Sequence, residues 1–153
     1  LTECSNVQWA PDVAEALIND MRKVFIEPAN NWAEVFMKWG LALDQNFGPS
    51  NGGCNTCWPL VKINTQTKDV SYGVDYYSTG AFSKFVNPGA QRIDVTTADS
   101  NLLVTGFVGT DGAITVIVAN TVNDYYEFTL IWGEKWIQST LPAKNVGVFK
   151  WKP

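Results

Sequence analysis

The chain has 153 residues, with 11 basic and 15 acidic side chains, a formal net charge of −4 and 46% apolar residues. That composition suits a globular domain with a sizeable core, and it leaves no basic stripe to hold nucleic acid or an anionic lipid surface. No apolar run is long enough to span a bilayer and no charged-then-apolar signal segment opens the chain, so a soluble mature chain, or a piece of one, is expected.

Leu1 to Ser5 reads as a short strand that begins without a methionine. Pro11-Asp12 then opens a helical pattern carried by Ala14, Leu17, Ile18, Met21, Val24 and Phe25, with Asp12 and Glu15 where the helix dipole favours carboxylates. Pro28 ends or bends that helix, and Asn30-Asn31 is placed to cap a second apolar segment, Trp32 to Trp39. Leu41, Ala42 and Leu43 are apolar at consecutive positions, which predicts a strand covered on both faces, as in a parallel sheet wrapped by helices. Asp44, Gln45 and Asn46 follow at the carboxyl end of that strand, where α/β folds place their ligand sites, and Gly48-Pro49 turns the chain into a loop.

Beyond the loop, Leu60 to Asn64 and Asp69 to Gly73 alternate around Thr65-Gln66-Thr67-Lys68 and predict a hairpin. A helix is expected from Tyr76-Tyr77 to Val86, stopped by Asn87-Pro88-Gly89. From Ala90 the helical period disappears. Arg92 to Thr97, Leu102 to Val108, Ile114 to Asn120, Tyr125 to Trp132, Trp136 to Thr140 and Val146 to Trp151 read as short strands of an antiparallel sandwich. The chain therefore divides near Pro88, and the βαβα pattern before it is too short to close a sheet by itself, so it is expected to be the end of something larger.

The chain has no histidine, which removes Ser-His and Cys-His nucleophiles and the commonest metal ligand; acid–base chemistry falls to carboxylates. Seven tryptophans, five tyrosines and eight phenylalanines supply faces on which sugar rings stack, although most are expected in the core. Cys54-Asn55-Thr56-Cys57 has the spacing of a redox dithiol, half a zinc site or a short-loop disulfide. Zinc lacks its other ligands unless Cys4 and a carboxylate join, and Trp58-Pro59 follows where a redox motif would open a helix, so a loop-bracing disulfide in an extracytoplasmic setting is favoured. Cys4 is then expected to be a buried free thiol.

Five stretches together resemble the carboxyl-terminal portion of glycoside hydrolase family 30, the group of glucosylceramidases, β-1,6-glucanases and xylanases. They are Thr2-Glu3-Cys4; Asn31-Trp32-Ala33 leading to Trp39-Gly40-Leu41-Ala42-Leu43-Asp44; Gly48-Pro49; Gly53-Cys54-Asn55-Thr56-Cys57; and Tyr76-Tyr77 through Phe82-Ser83-Lys84-Phe85-Val86-Asn87-Pro88-Gly89-Ala90-Gln91-Arg92-Ile93. The resemblance implies an α+β fragment: the last two strand-helix units of a (β/α)8 catalytic barrel over residues 1–88, followed by an antiparallel β-sandwich over residues 89–153.

It also implies a retaining β-glycoside hydrolase acting on a β-linked glucan, xylan or glucosyl lipid, with Glu3 inheriting the nucleophile's place at the end of barrel strand seven. The family's acid/base is a second glutamate that no stretch of this chain matches, so an amino-terminal segment of the same enzyme is the expected partner and the isolated chain is expected to be inactive. Trp39 matches a sugar-lining tryptophan, with Gly40 where the family usually has Asn; Asp44 and Asn46 are candidates for the rim of the substrate site. No cofactor or metal is called for, and a secreted or otherwise extracytoplasmic location is expected. The competing reading is a non-catalytic carbohydrate-binding or structural sandwich module.

Overall fold

The computed structural model describes residues 4–5 and 12–153. Helix α1 (Val13–Asp20) starts on Asp12, whose Oδ1 accepts the backbone N–H of Ala14 at 2.9 Å. It continues through a wider, π-helical stretch (Met21–Ile26) into a last turn, α2 (Glu27–Asn30). Pro28 sits in the first turn of α2, directly after the π-helical stretch, and the helix ends at Asn30 rather than at the proline. The chain leaves at Trp32, which adopts a left-handed φ of 66°.

No helix follows between Trp32 and Trp39. The segment runs extended instead: Val35, Met37, Trp39 and Leu41 are all exposed, at 59%, 53%, 42% and 75%, while Phe36 and the Lys38 side chain turn inward. The second apolar segment thus has a period of two, with large side chains on both faces. The strand that follows, β1 (Ala42–Asp44), is likewise not covered on both sides; Leu43 is buried, whereas Leu41 and Ala42 are exposed.

β1 pairs in parallel with β2 (Val61–Ile63), and β2 pairs antiparallel with β3 (Val70–Tyr72) in the expected hairpin. Helix α3 (Val74–Ser83) follows. The carboxyl-terminal half forms a four-stranded antiparallel sheet in the order β4 (Gln91–Ile93), β5 (Leu102–Val108), β6 (Ile114–Asn120) and β9 (Val146–Trp151). A two-stranded sheet, β7 (Tyr126–Trp132) with β8 (Lys135–Leu141), covers one of its faces.

β6 is buried along its whole length, and its alternation divides the core in two. Ile114, Val116 and Val118 face Phe128, Leu130 and Leu141 of the β7–β8 hairpin, with Phe128 set edge-on to Phe149 at 5.5 Å between centroids. Ile117 and Ala119, joined by Phe107 of β5, face Ile18, Met21, Phe25 and Phe82 of the helices. Phe82 stacks on Phe25 at 4.9 Å and meets Phe107 edge-on at 5.8 Å. One apolar cluster thus spans both sides of the division near Pro88. Gly106 of β5 is a glycine because a Cβ there would collide with Val95 and Ile93, which fold back over the strand.

Polar groups lock the layers at their ends. Asn120 is fully buried; its Nδ2 donates to the carbonyls of Asp124 and Pro142 at 2.8 Å each and of Leu141 at 3.3 Å, and its Oδ1 accepts from Val122 N at 3.0 Å. At the same end of the sandwich, the Tyr126 hydroxyl donates to the Asp99 carboxylate, which also accepts Asn101 N at 2.9 Å. The tyrosine bond, followed by the backbone N–H, holds the Asp99 carboxyl below the usual aspartate value.

Two outcomes are expected. Asn120→Ala leaves the buried Leu141 carbonyl and the part-buried carbonyls of Asp124 and Pro142 without this donor and should lower the unfolding free energy by about 1–3 kcal/mol in urea titrations. Tyr126→Phe should bring the Asp99 pKa, read by carboxyl NMR, back up toward its ordinary value. Because a lowered folded-state pKa gives stability that is present above the unfolded pKa and lost as pH falls through the folded one, the wild type should lose more stability than Tyr126→Phe as pH drops below about 4.

Candidate active site

The site is built on the strand edge formed by Cys4, residues 37–44 and β2. Cys4 N donates to Met37 O at 3.1 Å and Trp39 N donates to Cys4 O at 2.7 Å, a parallel bridge centred on Lys38. On the other side, Leu60 N and Val61 N donate to Gly40 O and Leu41 O, each at 3.0 Å. Residues 37–44 therefore run between the Cys4 stretch and β2, parallel to both. Glu3, the expected nucleophile, lies outside the described residues, as do the other residues of its motif except Cys4. Cys4 is a free thiol, but half-buried rather than buried, because its strand edge has neighbours on one side only among the described residues.

Trp39 is 42% exposed and stands on the bare face of this strand with Met37 and Leu41, so its ring is open to a ligand; its peptide bond to Gly40 is cis. Asp44 shapes the loop that follows β1. Its Oδ1 accepts from Asn46 N and Gly48 N, both at 2.8 Å, while its own N–H donates to Gly48 O at 2.8 Å. That turn chemistry folds the loop after β1 and leaves the carboxylate packed against Gly48. Asn46 is exposed at the turn's tip, its side chain without a hydrogen bond among the described residues. Gln45 fastens the same loop to the β2–β3 turn, its Oε1 accepting Thr65 N at 2.9 Å.

Cys54 and Cys57 are joined in a disulfide. The loop they brace leads to Trp58, whose carbonyl accepts the Ser5 hydroxyl at 3.2 Å, so the residue after Cys4 is tied to this loop. Lys62 of β2 places its ammonium 3.8 Å from the Phe47 ring centre and 4.6 Å from that of Trp58.

Behind the strand lies an ionic cluster that the sequence pattern did not single out. The Lys38 ammonium pairs with Asp20 of α1 at 2.5 Å and with Asp75 in the first turn of α3, and Ser78 of α3 donates to the other Asp20 oxygen. The three charged side chains are at most 3% exposed. Burial, the largest effect, raises the Asp20 pKa; the Lys38 charge acts against it. The available signal was Lys38 as the lone charge in the run Val35 to Leu43, together with Asp20 in the apolar stripe of its helix.

A separate cleft of about 1010 Å³ opens between the chain around Trp32 and the end of α3, where the Arg92 guanidinium lies 4.2 Å over the Trp32 ring. Trp39, Asp44 and Asn46 are not among its lining residues.

Residues 89–146 match the glycosyl hydrolase family 30 beta sandwich domain. Over 95% of its length the chain is 31% identical to an endo-1,6-β-D-glucanase of Aspergillus fumigatus and 30% identical to one of Trichoderma harzianum, and it spans 30% of the length of each. The solved structure of an endo-β1,6-glucanase superposes on 99% of the chain with a TM-score of 0.90 at 30% identity, the chain spanning 35% of it. The sandwich, the strand edge before it and the similarity along almost the whole chain agree: the chain belongs to glycoside hydrolase family 30 and corresponds to the carboxyl-terminal portion of such an enzyme.

Proposed function

We propose that the chain is the part of a retaining β-glycoside hydrolase that carries the nucleophile, Glu3, and that the whole enzyme cleaves a β-1,6-linked glucan. Residues 1–88 would close a (β/α)8 barrel as its last two strand-helix units, and residues 89–153 form the sandwich beside it. The observation that carries this reading is the parallel bridge laying Cys4, the residue after Glu3, beside Trp39. It brings the backbone of the two stretches that carry family chemistry to one strand edge. The exposed row Val35, Met37, Trp39 and Leu41 supports the barrel, since inward-facing side chains of barrel strands are apolar and need neighbouring strands to cover them. The choice of β-1,6-glucan over xylan or a glucosyl lipid rests on the two fungal relatives and the superposed structure, all β-1,6-glucanases by name.

In this mechanism the Glu3 carboxylate attacks the anomeric carbon while a second carboxylic acid, from the segment completing the barrel, protonates the departing glycosidic oxygen. The same second group then takes a proton from water, which hydrolyses the glycosyl ester and frees Glu3. The two carboxyls must stand about 5–5.5 Å apart, a spacing a closed barrel imposes. Trp39 offers a flat ring for a pyranose face. Asp44 contributes by holding its loop, and Asn46 is the polar group at the rim. The Cys54–Cys57 bond suits an oxidising, extracytoplasmic location.

The test uses the complete enzyme. Glu3→Gln should lower kcat on β-1,6-glucan by about 10⁴-fold or more with little change in substrate binding, and an activated fluoro-sugar should esterify Glu3 as its leaving group departs, which peptide mass mapping reads. Turnover near wild type, or label on Asp44, would overturn the assignment. Glucan binding without hydrolysis by the wild type would favour a non-catalytic module instead.

A further inference from the structure

We propose that Lys38 is a positioning residue for the glycosidase site: clamped between Asp20 and Asp75 behind the strand, it fixes where residues 37–39 hold the Cys4 stretch, and so where Glu3 stands relative to Trp39. This inference rests on the nucleophile assignment above.

Two observations carry it. The first is connectivity. The backbone bonds to Cys4 come from the residues on either side of Lys38, with Met37 O accepting at 3.1 Å and Trp39 N donating at 2.7 Å. The Lys38 side chain leaves that bridge on the opposite face from Met37 and Trp39 and ends on two helices, α1 through Asp20 and α3 through Asp75, with Ser78 completing the Asp20 carboxylate. A displacement of the 37–39 backbone would have to pull a buried ammonium off two buried carboxylates. The residue that carries the sugar platform and the stretch that follows the nucleophile are thereby referred to one anchor.

The second observation is that the arrangement is a poor way to gain stability. Three buried charges lose their hydration, and apolar side chains of similar volume in such places are often neutral or stabilising. The neighbouring layer shows that alternative in the Phe25, Phe36 and Phe82 rings. A directional, geometrically demanding cluster at this point in the fold makes sense where a backbone has to be held in one place. A catalytic carboxylate has that requirement, because displacement by about 1 Å can lower the rate about 10²-fold.

The experiment is made on the complete enzyme with an activated fluoro-glucoside, following formation of the Glu3 ester by intact mass as the leaving group departs. Lys38→Met alone would strand two buried carboxylates, so the main variant is Lys38→Met/Asp20→Asn/Asp75→Asn, which removes all three charges and nearly keeps the volumes. It should trap the sugar and turn over β-1,6-glucan about 10²-fold more slowly, with KM within about threefold of wild type. Amide exchange at Cys4 and Trp39, the two donors of the bridge, should quicken while amides of β5 and β6 keep their protection. If that variant does not fold, Asp20→Ala leaves the Lys38–Asp75 pair in place and should still slow trapping about fivefold at unchanged KM. Wild-type trapping rates in whichever variant folds, or a rise in KM without loss of kcat, would overturn the positioning role. Absence of label at Glu3 in the wild type would instead overturn the nucleophile assignment, and this inference with it.

Discussion

The structure depends on a sheet that has no free face. β5 and β6 send alternate side chains to the helices and to the β7–β8 hairpin, so the two cores share one backbone layer and neither can loosen without exposing the other. The bonds at the margins follow the same plan. Asn30 Nδ2 reaches Val104 O of β5 at 2.9 Å, Thr115 Oγ1 and Lys150 Nζ both reach Phe85 O, and Asn120 binds the hairpin's end. The helices that hold Lys38 are therefore themselves backed by the sandwich. A rigid wall stands behind the strand edge at which the site is built.

That edge has an uneven character. One face of residues 35–41 is docked through Phe36 and Lys38; the other presents large apolar side chains without cover among the described residues. The loops past its carboxyl end are stiffened by local means: an aspartate-centred turn at Asp44, a glutamine link from Gln45 to Thr65 and a disulfide three residues in span. Each limits the motion of a segment too short and polar to bury a core of its own.

Most of the sandwich was legible because its strands alternate cleanly and are separated by turn chemistry; β5, β6 and β9 begin and end where the pattern places them. The hairpin around residues 65–68 and the disulfide were readable for the same local reasons. Residues 32–39 were harder, since large apolar groups at positions 35, 36, 37 and 39 fit a helix as readily as a strand, and the left-handed turn at Trp32 that decides the matter is unusual for a tryptophan. Asp44 was legible as a carboxylate at a strand end; its part in the turn appears only once Gly48 is folded back upon it. Lys38 and Asp20 each stand out as charges among apolar neighbours, but that they meet Asp75 could not be read from the chain, because the three are distant in sequence.

Among the described residues the cluster holds two carboxylates and one ammonium, an excess of one negative charge where the side chains are at most 3% exposed. A proton taken up by Asp20 would cancel that excess while the Lys38–Asp75 pair persists. Since the Asp20 pKa is raised in the folded chain, this contribution is fully present below the unfolded aspartate pKa and is lost as pH rises through the folded value. The anchor behind the strand edge therefore costs least to bury where the Asp20 carboxyl can hold a proton, and most at alkaline pH.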